Sequence, residues 1–333
     1  MGDILMGDVL AGDVLTGNIF LFPGQGTQYP GMGKDLYENF AGVRELFRCA
    51  GEIASLDLQE ILFNGTEEQL KQTNITQIGI TLVNLSIATV LREKGVEAEA
   101  AAGFSLGEYS ALWYAGVLSA EAVFQAVVER GRVMDECCRQ LNAQSTRPAG
   151  MAAVLGLHYD EVAAALKPMQ DAGQQIYIAN YNAAKQIVIA GSGEAIAAAE
   201  AEMDSAGAMK YVVLKVGGPF HTPMLKSAAE AFAPFLQSKL EFAQPRLALY
   251  SNVTGKRVGP ETDLAGLALQ HIYSPVLWVS IEESLKADGF GRALEIGPGN
   301  VLTGLWRQFL RKEPCLPLGT LEQIEGLLQN KTG

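Results

Sequence analysis

A serine set between two glycines, Gly103-Phe104-Ser105-Leu106-Gly107-Glu108, follows an alanine-rich apolar run and precedes an apolar helix pattern. These residue types at this spacing describe a nucleophile elbow. Glycines two positions either side permit the strained strand-to-helix turn that thrusts the serine Oγ outward, and the N–H of Leu106 can face a developing oxyanion. A serine hydroxyl is a weak nucleophile without a base in hydrogen-bond reach, and histidine suits neutral pH because its unperturbed pKa is about 6.5. The chain has three histidines. His158 sits at a strand end and reads as a solvated loop residue. His271 precedes Ile272-Tyr273-Ser274-Pro275 at a helix end, where a capping role fits. His221 follows Gly217-Gly218-Pro219-Phe220 at the end of a strand pattern, where its neighbours can hold it rigidly over a cleft, so it is the candidate base. No aspartate is placed to complete a triad; a backbone carbonyl can fix the imidazole tautomer in its stead. The chemistry then requires that Ser105 and His221, remote along the chain, meet across one cleft.

The elements that must position them alternate in type. Asn18 to Phe22 reads as a buried first strand, and Pro23-Gly24-Gln25-Gly26-Thr27-Gln28 as the turn at its carboxyl end, where open α/β sheets place their ligands. This turn is not a nucleotide loop: Tyr29 stands where the dinucleotide fingerprint needs its third glycine, and Gly33-Lys34 is followed by Asp35. Helical spacing follows at 36–50 and 76–94, a short strand at 98–103, the elbow and its helix through Leu112, and a helix at 119–141. From Met151 the order becomes β-α-β-β-α-β, with strands at 151–157, 176–180, 186–190 and 210–216, which is a ferredoxin-like unit. Pro148-Ala149-Gly150 and Gly217-Gly218-Pro219 are the expected hinges. A helix at 223–239, a strand at 247–252, helices at 264–272 and 276–287, a strand at 292–296 and a helix to about Arg311 complete the larger part. The expected fold is α/β: an α/β-hydrolase-like large subdomain with a mostly parallel sheet, from 18–148 and 217–330, and an inserted small subdomain at 149–216.

Composition sets outer limits. The 333 residues, 48% hydrophobic and 19% charged, suffice for one large or two modest domains. A net charge of −12 excludes a general nucleic-acid binder, which needs a basic field, and obliges any anionic substrate to meet local positive charge. Cys49, Cys137, Cys138 and Cys315 lack metal-ligand spacing and read as reduced packing thiols, so no metal site is expected. No apolar run approaches the length of a bilayer span, and a cytoplasmic location is the default. Residues 1–17 repeat a Gly-Asp-hydrophobic unit and are expected to form a flexible leader without chemistry.

Taken in order, Pro23 to Gln28, Gly103 to Glu108, Pro219-Phe220-His221 and Glu295-Ile296-Gly297-Pro298-Gly299 form a set. With this set the chain resembles the malonyl-CoA:acyl carrier protein transacylases from about Ile19 to near its C-terminus. The resemblance implies that Ser105 is the nucleophile and His221 the base, with the backbone N–H groups of Gln25 and Leu106 as the oxyanion hole. It also implies that Arg130, in Glu129-Arg130-Gly131, pairs with the free carboxylate of malonate, and that the main-chain carbonyl at His271 holds His221. By spacing alone Arg130 reads as a solvated helix arginine. Many members carry histidine where this chain has Phe104, which makes the pocket beside Ser105 more apolar. Phe220 before His221 matches the pattern associated with malonyl rather than methylmalonyl selection. The implied partners are malonyl-CoA, a thioester substrate, and acyl carrier protein, with no cofactor, no nucleic acid and no membrane, and the chain is expected to be a monomer. Two rival readings use the same scaffold: an acyl hydrolase, and a catalytically silent docking module.

Overall fold

The strand Asn18–Phe22 (β1) is apolar without a break from Ile19 to Phe22 because both of its faces are buried. Ile19 and Leu21 face one core, shared with Trp278 and Trp306; Phe20 and Phe22 face the other, shared with the long helices. The computed structural model describes residues 18–143 and 145–329, so the expected leader at 1–17 lies outside the described residues. The remaining strands are Ala100–Gly103 (β2), Gly150–Leu155 (β3), Ile176–Ala183 (β4), Gln186–Gly191 (β5), Lys210–Val213 (β6), Ala248–Tyr250 (β7), Arg292–Ile296 (β8) and Cys315–Leu318 (β9).

One five-stranded sheet runs β7-β2-β1-β8-β9, and every pairing in it is parallel. Parallel neighbours need crossover connections, and these crossovers supply the helices that cover both faces. The register sets Phe22 opposite Gly103, so the loops that leave β1 and β2 emerge side by side at the carboxyl edge. A second, four-stranded sheet runs β4-β5-β3-β6 and is antiparallel throughout, which is the ferredoxin-like order expected for the insertion. It has its own core of Val154, Ile187, Ile189, Leu166 and Met203 under two helices. An isolated parallel bridge, Asn180 to Val276, ties β4 to the larger part.

Several elements differ from the sequence reading. The helix expected over 36–50 breaks at Phe40 into Lys34–Asn39 and Ala41–Ala54, because Phe40 adopts an extended conformation that caps one helix and starts the next. β6 stops at Val213, short of the expected 216, and β7 at Tyr250, short of the expected 252, and the segments they release lead to His221 and Asn252. Beyond Arg311 lie two elements that the periodicity did not show, β9 and the helix Leu321–Gln329. One helix also departs from the expectation that no segment approaches a bilayer span. Thr73–Glu93 has the length and mean hydropathy to cross a membrane, yet 89% of its apolar window is buried inside the protein, where it serves as the central core helix.

Candidate active site

β2 ends at Gly103 and the helix Gly107–Tyr114 begins at once, so the chain must reverse within three residues. Ser105 takes the bend at φ 50. A Cβ on Gly103 would overlap the backbone of Gly107 and Glu108, and one on Gly107 would overlap the carbonyl of Phe22. Both glycines are therefore demanded by close backbone approach. The Phe104 N–H donates to the Phe22 carbonyl at 2.9 Å, and Gly24 lies against the Phe104 carbonyl with no room for a side chain. This contact seats Gln25 beside the elbow. Among the described residues, the backbone N–H groups of Gln25 and Leu106 have no acceptor within the protein.

His221 arrives from a loop between β6 and the helical segment that starts at Pro223. Its φ is 60, and the loop is pinned where Thr222 Oγ1 donates to the Pro219 carbonyl at 2.7 Å. Gly218 fits against Cys138 on the helix Ala120–Asn142, with no space for a Cβ. Among the described residues only Ser55 joins Ser105 and His221 as a non-glycine residue with positive φ. Such conformations cost about 1–3 kcal/mol each and persist only where the surroundings over-determine them.

The two side chains meet. Ser105 Oγ lies 2.6 Å from His221 Nε2, and His221 Nδ1 lies 3.0 Å from the His271 carbonyl oxygen. Since a carbonyl can only accept, Nδ1 carries the proton and Nε2 is left to accept from the serine hydroxyl. Burial, and next the Arg130 guanidinium, push the His221 imidazolium down to about 3, against smaller opposite effects of the His271 and Ser274 backbones. The His271 ring is itself buried, 5.2 Å from that of His221, and its Nε2 has no hydrogen-bond partner. His158 is exposed at a helix start, where its N–H donates to Glu161, and stands apart from this cluster.

Arg130 is 2% exposed, in the helix Ala120–Asn142. Its Nη1 donates to Gln77 Oε1 at 2.9 Å, its guanidinium lies 5.7 Å from the Tyr109 ring centre, and Nε and Nη2 have no partner. A buried fork with two idle donors is costly unless an acceptor arrives. Phe104 rests edge-on against Trp278, with ring centres 5.4 Å apart, and Trp278 Nε1 donates to buried Glu282 at 3.0 Å. Phe220 is buried in the larger core, next to Gly217 and Gly218.

The sequence reading missed Asn252. Its Oδ1 accepts from the Ser105 N–H at 2.7 Å, its Nδ2 donates to the Gly103 carbonyl at 2.6 Å, and its own N–H donates to Glu108 Oε2 at 2.8 Å. The one local signal was Asn252 at the end of a strand run, whose carboxyl edge is where α/β sites are built. Burial pushes the Glu108 carboxyl up to about 7.

A parallel sheet ending in a serine elbow, with a carbonyl-seated histidine at hydrogen-bond distance, defines the class of α/β serine enzymes that handle acyl groups. Comparison with known proteins narrows the class. Residues 19–329 match the acyl transferase domain, and the chain belongs to that family. The malonyl CoA-acyl carrier protein transacylase of Bacillus subtilis is 33% identical over 313 residues, 93% of this chain and 96% of that protein. The crystal structure of the transacylase of the same name from Clostridium perfringens superposes with a TM-score of 0.88 at 32% identity, covering 95% of this chain and 97% of that one. A malonyl-transacylase solved in complex with a type II PKS acyl-carrier protein gives a TM-score of 0.88 at 32% identity, covering 95% of this chain and all, 100%, of that one.

Proposed function

We propose that this enzyme moves malonyl from CoA to the phosphopantetheine thiol of acyl carrier protein through a malonyl ester on Ser105. The observation that carries the proposal is the buried Arg130 fork, with Nε and Nη2 idle, close enough to the Ser105–His221 pair for its charge to act on the imidazole. An acyl chain that ends in a carboxylate would fill those donors; an acetyl group would leave them empty. The names of the similar transacylases, and the solved complex with a carrier, support the same substrates.

In the proposed sequence Ser105 Oγ attacks the thioester carbonyl as its proton passes to His221 Nε2. The N–H groups of Gln25 and Leu106 receive the oxyanion. Collapse breaks the C–S bond, the CoA thiolate leaves with the proton from Nε2, and malonyl remains on Ser105. The carrier thiol then gives its proton to Nε2 and attacks the ester; collapse releases malonyl-carrier and returns the proton to Ser105. The His271 carbonyl holds the ring in one tautomer during both halves, while Phe104 and Phe220 bound the acyl pocket. No metal or redox cofactor enters this sequence. The free thiols at Cys49, Cys137, Cys138 and Cys315 suit a cytoplasmic setting.

The test is intact-mass analysis of the protein mixed separately with malonyl-, acetyl- and methylmalonyl-CoA, followed by addition of carrier. The expected result is a malonyl adduct on Ser105, absent from Ser105→Ala, that transfers to the carrier. Failure of Ser105 to take up malonyl would sink the proposal, and release of malonate to water with no carrier product would replace transfer by hydrolysis.

A further inference from the structure

We propose that Asn252 is a positioning residue for the Ser105 nucleophile and that Glu108 locks Asn252 in that task. The inference rests on the acyl-transfer reading of Ser105. Its starting point is that Ser105 must stay in a left-handed conformation at φ 50, which an unconstrained serine leaves. Something must therefore hold the elbow on its concave side. The Asn252 amide does this with both of its ends: Oδ1 accepts from the Ser105 N–H at 2.7 Å and Nδ2 donates to the Gly103 carbonyl at 2.6 Å, so one planar group spans the turn around Phe104.

The amide is held as firmly as it holds. Its backbone N–H donates to Glu108 Oε2 at 2.8 Å, and its carbonyl accepts from the Leu277 N–H at 3.0 Å. Each end of residue 252, side chain and main chain, is thus committed, and at 0% exposure no water can substitute for a missing partner. Glu108 lies three residues after the nucleophile, on the elbow's own helix. The links close a ring: the elbow carries Glu108, Glu108 fixes Asn252, and Asn252 fixes the elbow. A consequence is that the N–H of Ser105 is already used, which leaves the oxyanion to Leu106 and Gln25.

Residue type matters at both positions. Aspartate at 252 would keep the acceptor for Ser105 but lose the donor for Gly103. Glutamine at 108 keeps an oxygen for the Asn252 N–H, and alanine does not. The experiment uses the whole chain and compares wild type with Asn252→Ala, Glu108→Ala and Glu108→Gln. It reads the single-turnover rate of Ser105 malonylation, the KM for malonyl-CoA, the thermal midpoint, and the rate at which a fluorophosphonate labels Ser105. A nucleophile misplaced by about 1 Å should lose about 10²-fold in acylation rate in Asn252→Ala, while KM stays within about threefold. Fluorophosphonate labelling should slow in parallel. Glu108→Ala, which spares the Asn252 side chain, should lose about tenfold, and Glu108→Gln should recover most of that loss. The Glu108 pair also carries the test should Asn252→Ala not fold.

A folded Asn252→Ala protein whose Ser105 is labelled as fast as wild type would overturn the inference. So would equal losses in Glu108→Ala and Glu108→Gln. The wild-type control separates the two ideas: absence of malonyl on wild-type Ser105 sinks the acyl-transfer reading, whereas the fluorophosphonate comparison still decides the role of Asn252.

Discussion

His221 is neutral because its surroundings refuse the charge. Its imidazolium, pushed down to about 3 by burial and then by Arg130, titrates far below the ordinary histidine value. A base must be unprotonated to act, so kcat/KM for Ser105 acylation should stay level from pH 8 to about pH 5 and fall only in stronger acid. A solvent-exposed histidine would instead give an inflection near 6.5; finding that inflection in the wild type would show that His221 is not held as the structure has it. Arg130→Ala removes the second cause of the depression, so its acid limb should move up in pH. The same variant should lower malonyl transfer about 10- to 100-fold more than acetyl transfer, the worth of a charge-assisted hydrogen-bond pair. Equal losses with the two donors would take Arg130 out of selection. Legibility in the sequence followed from how local each signal is. Ser105 announces itself through its flanking glycines, and His221 stands out among so few histidines. Arg130 has no such signature, because nothing in a helical pattern distinguishes a buried arginine from a solvated one, and its place came from resemblance. Asn252 was invisible because its partners Gly103, Ser105 and Glu108 lie more than 140 residues away in the chain.

Elements fix what the residues can do, and the sharpest constraint is the junction between β2 and the helix Gly107–Tyr114. Gly107 lies against the Phe22 carbonyl of β1, a backbone atom that cannot rotate aside. Gly107→Ala should therefore destabilise the protein by about 1–3 kcal/mol or more, the range for overpacking, and slow Ser105 labelling in the fraction that remains folded. Gly304 offers the control, since a Cβ there meets nothing within 4 Å; Gly304→Ala should leave the urea midpoint unchanged or raise it. Indistinguishable urea midpoints for the two variants would contradict the packing at the elbow. The elements themselves were read well wherever periodicity and turn chemistry agreed, as in β1, β8 and the β-α-β-β-α-β run from β3 to β6. Reading failed at β9, a four-residue edge strand, Cys-Leu-Pro-Leu, in which Pro317 contradicts the usual strand signal. It failed again at the ends of β6 and β7: after β6 the half-buried Leu214 and Val216 carry hydrophobicity past the ladder on the way to His221, and after β7 the buried polar pair Ser251-Asn252 leaves the ladder for the elbow. An apolar run reports burial, and pairing is only one way to be buried.

For the molecule as a whole, the larger part holds two cores on opposite faces of the parallel sheet and the insertion a third, and ionisable groups are enclosed with them. Their protonation couples the site to global stability with opposite signs. His221, depressed in the fold, supports stability that is present above pH 6.5 and is lost as pH falls towards 3. Glu282 does the reverse: burial raises its carboxyl to about 8, so the fold prefers it protonated, and the support present below pH 4.5 is lost as pH rises to 8. Glu282 is 1% exposed and accepts from the Trp278 indole at 3.0 Å, the ring on which Phe104 leans beside Ser105. Glutamine keeps that acceptor without a charge to bury. The thermal midpoint of Glu282→Gln should accordingly match wild type near pH 4.5 and exceed it increasingly up to pH 8, by at most about 1.4 kcal/mol of stability per pH unit. Beyond pH 8 the advantage should stop growing, because the wild-type carboxyl is then ionised in both states. A difference between the two proteins that is constant from pH 4.5 to 8 would mean that residue 282 does not titrate out of step with the unfolded chain. The Trp278 indole would keep its acceptor in either case, because a neutral carboxyl and a glutamine amide both offer it an oxygen, so the test isolates the cost of charge at 282 from the hydrogen bond that seats the wall beside the nucleophile.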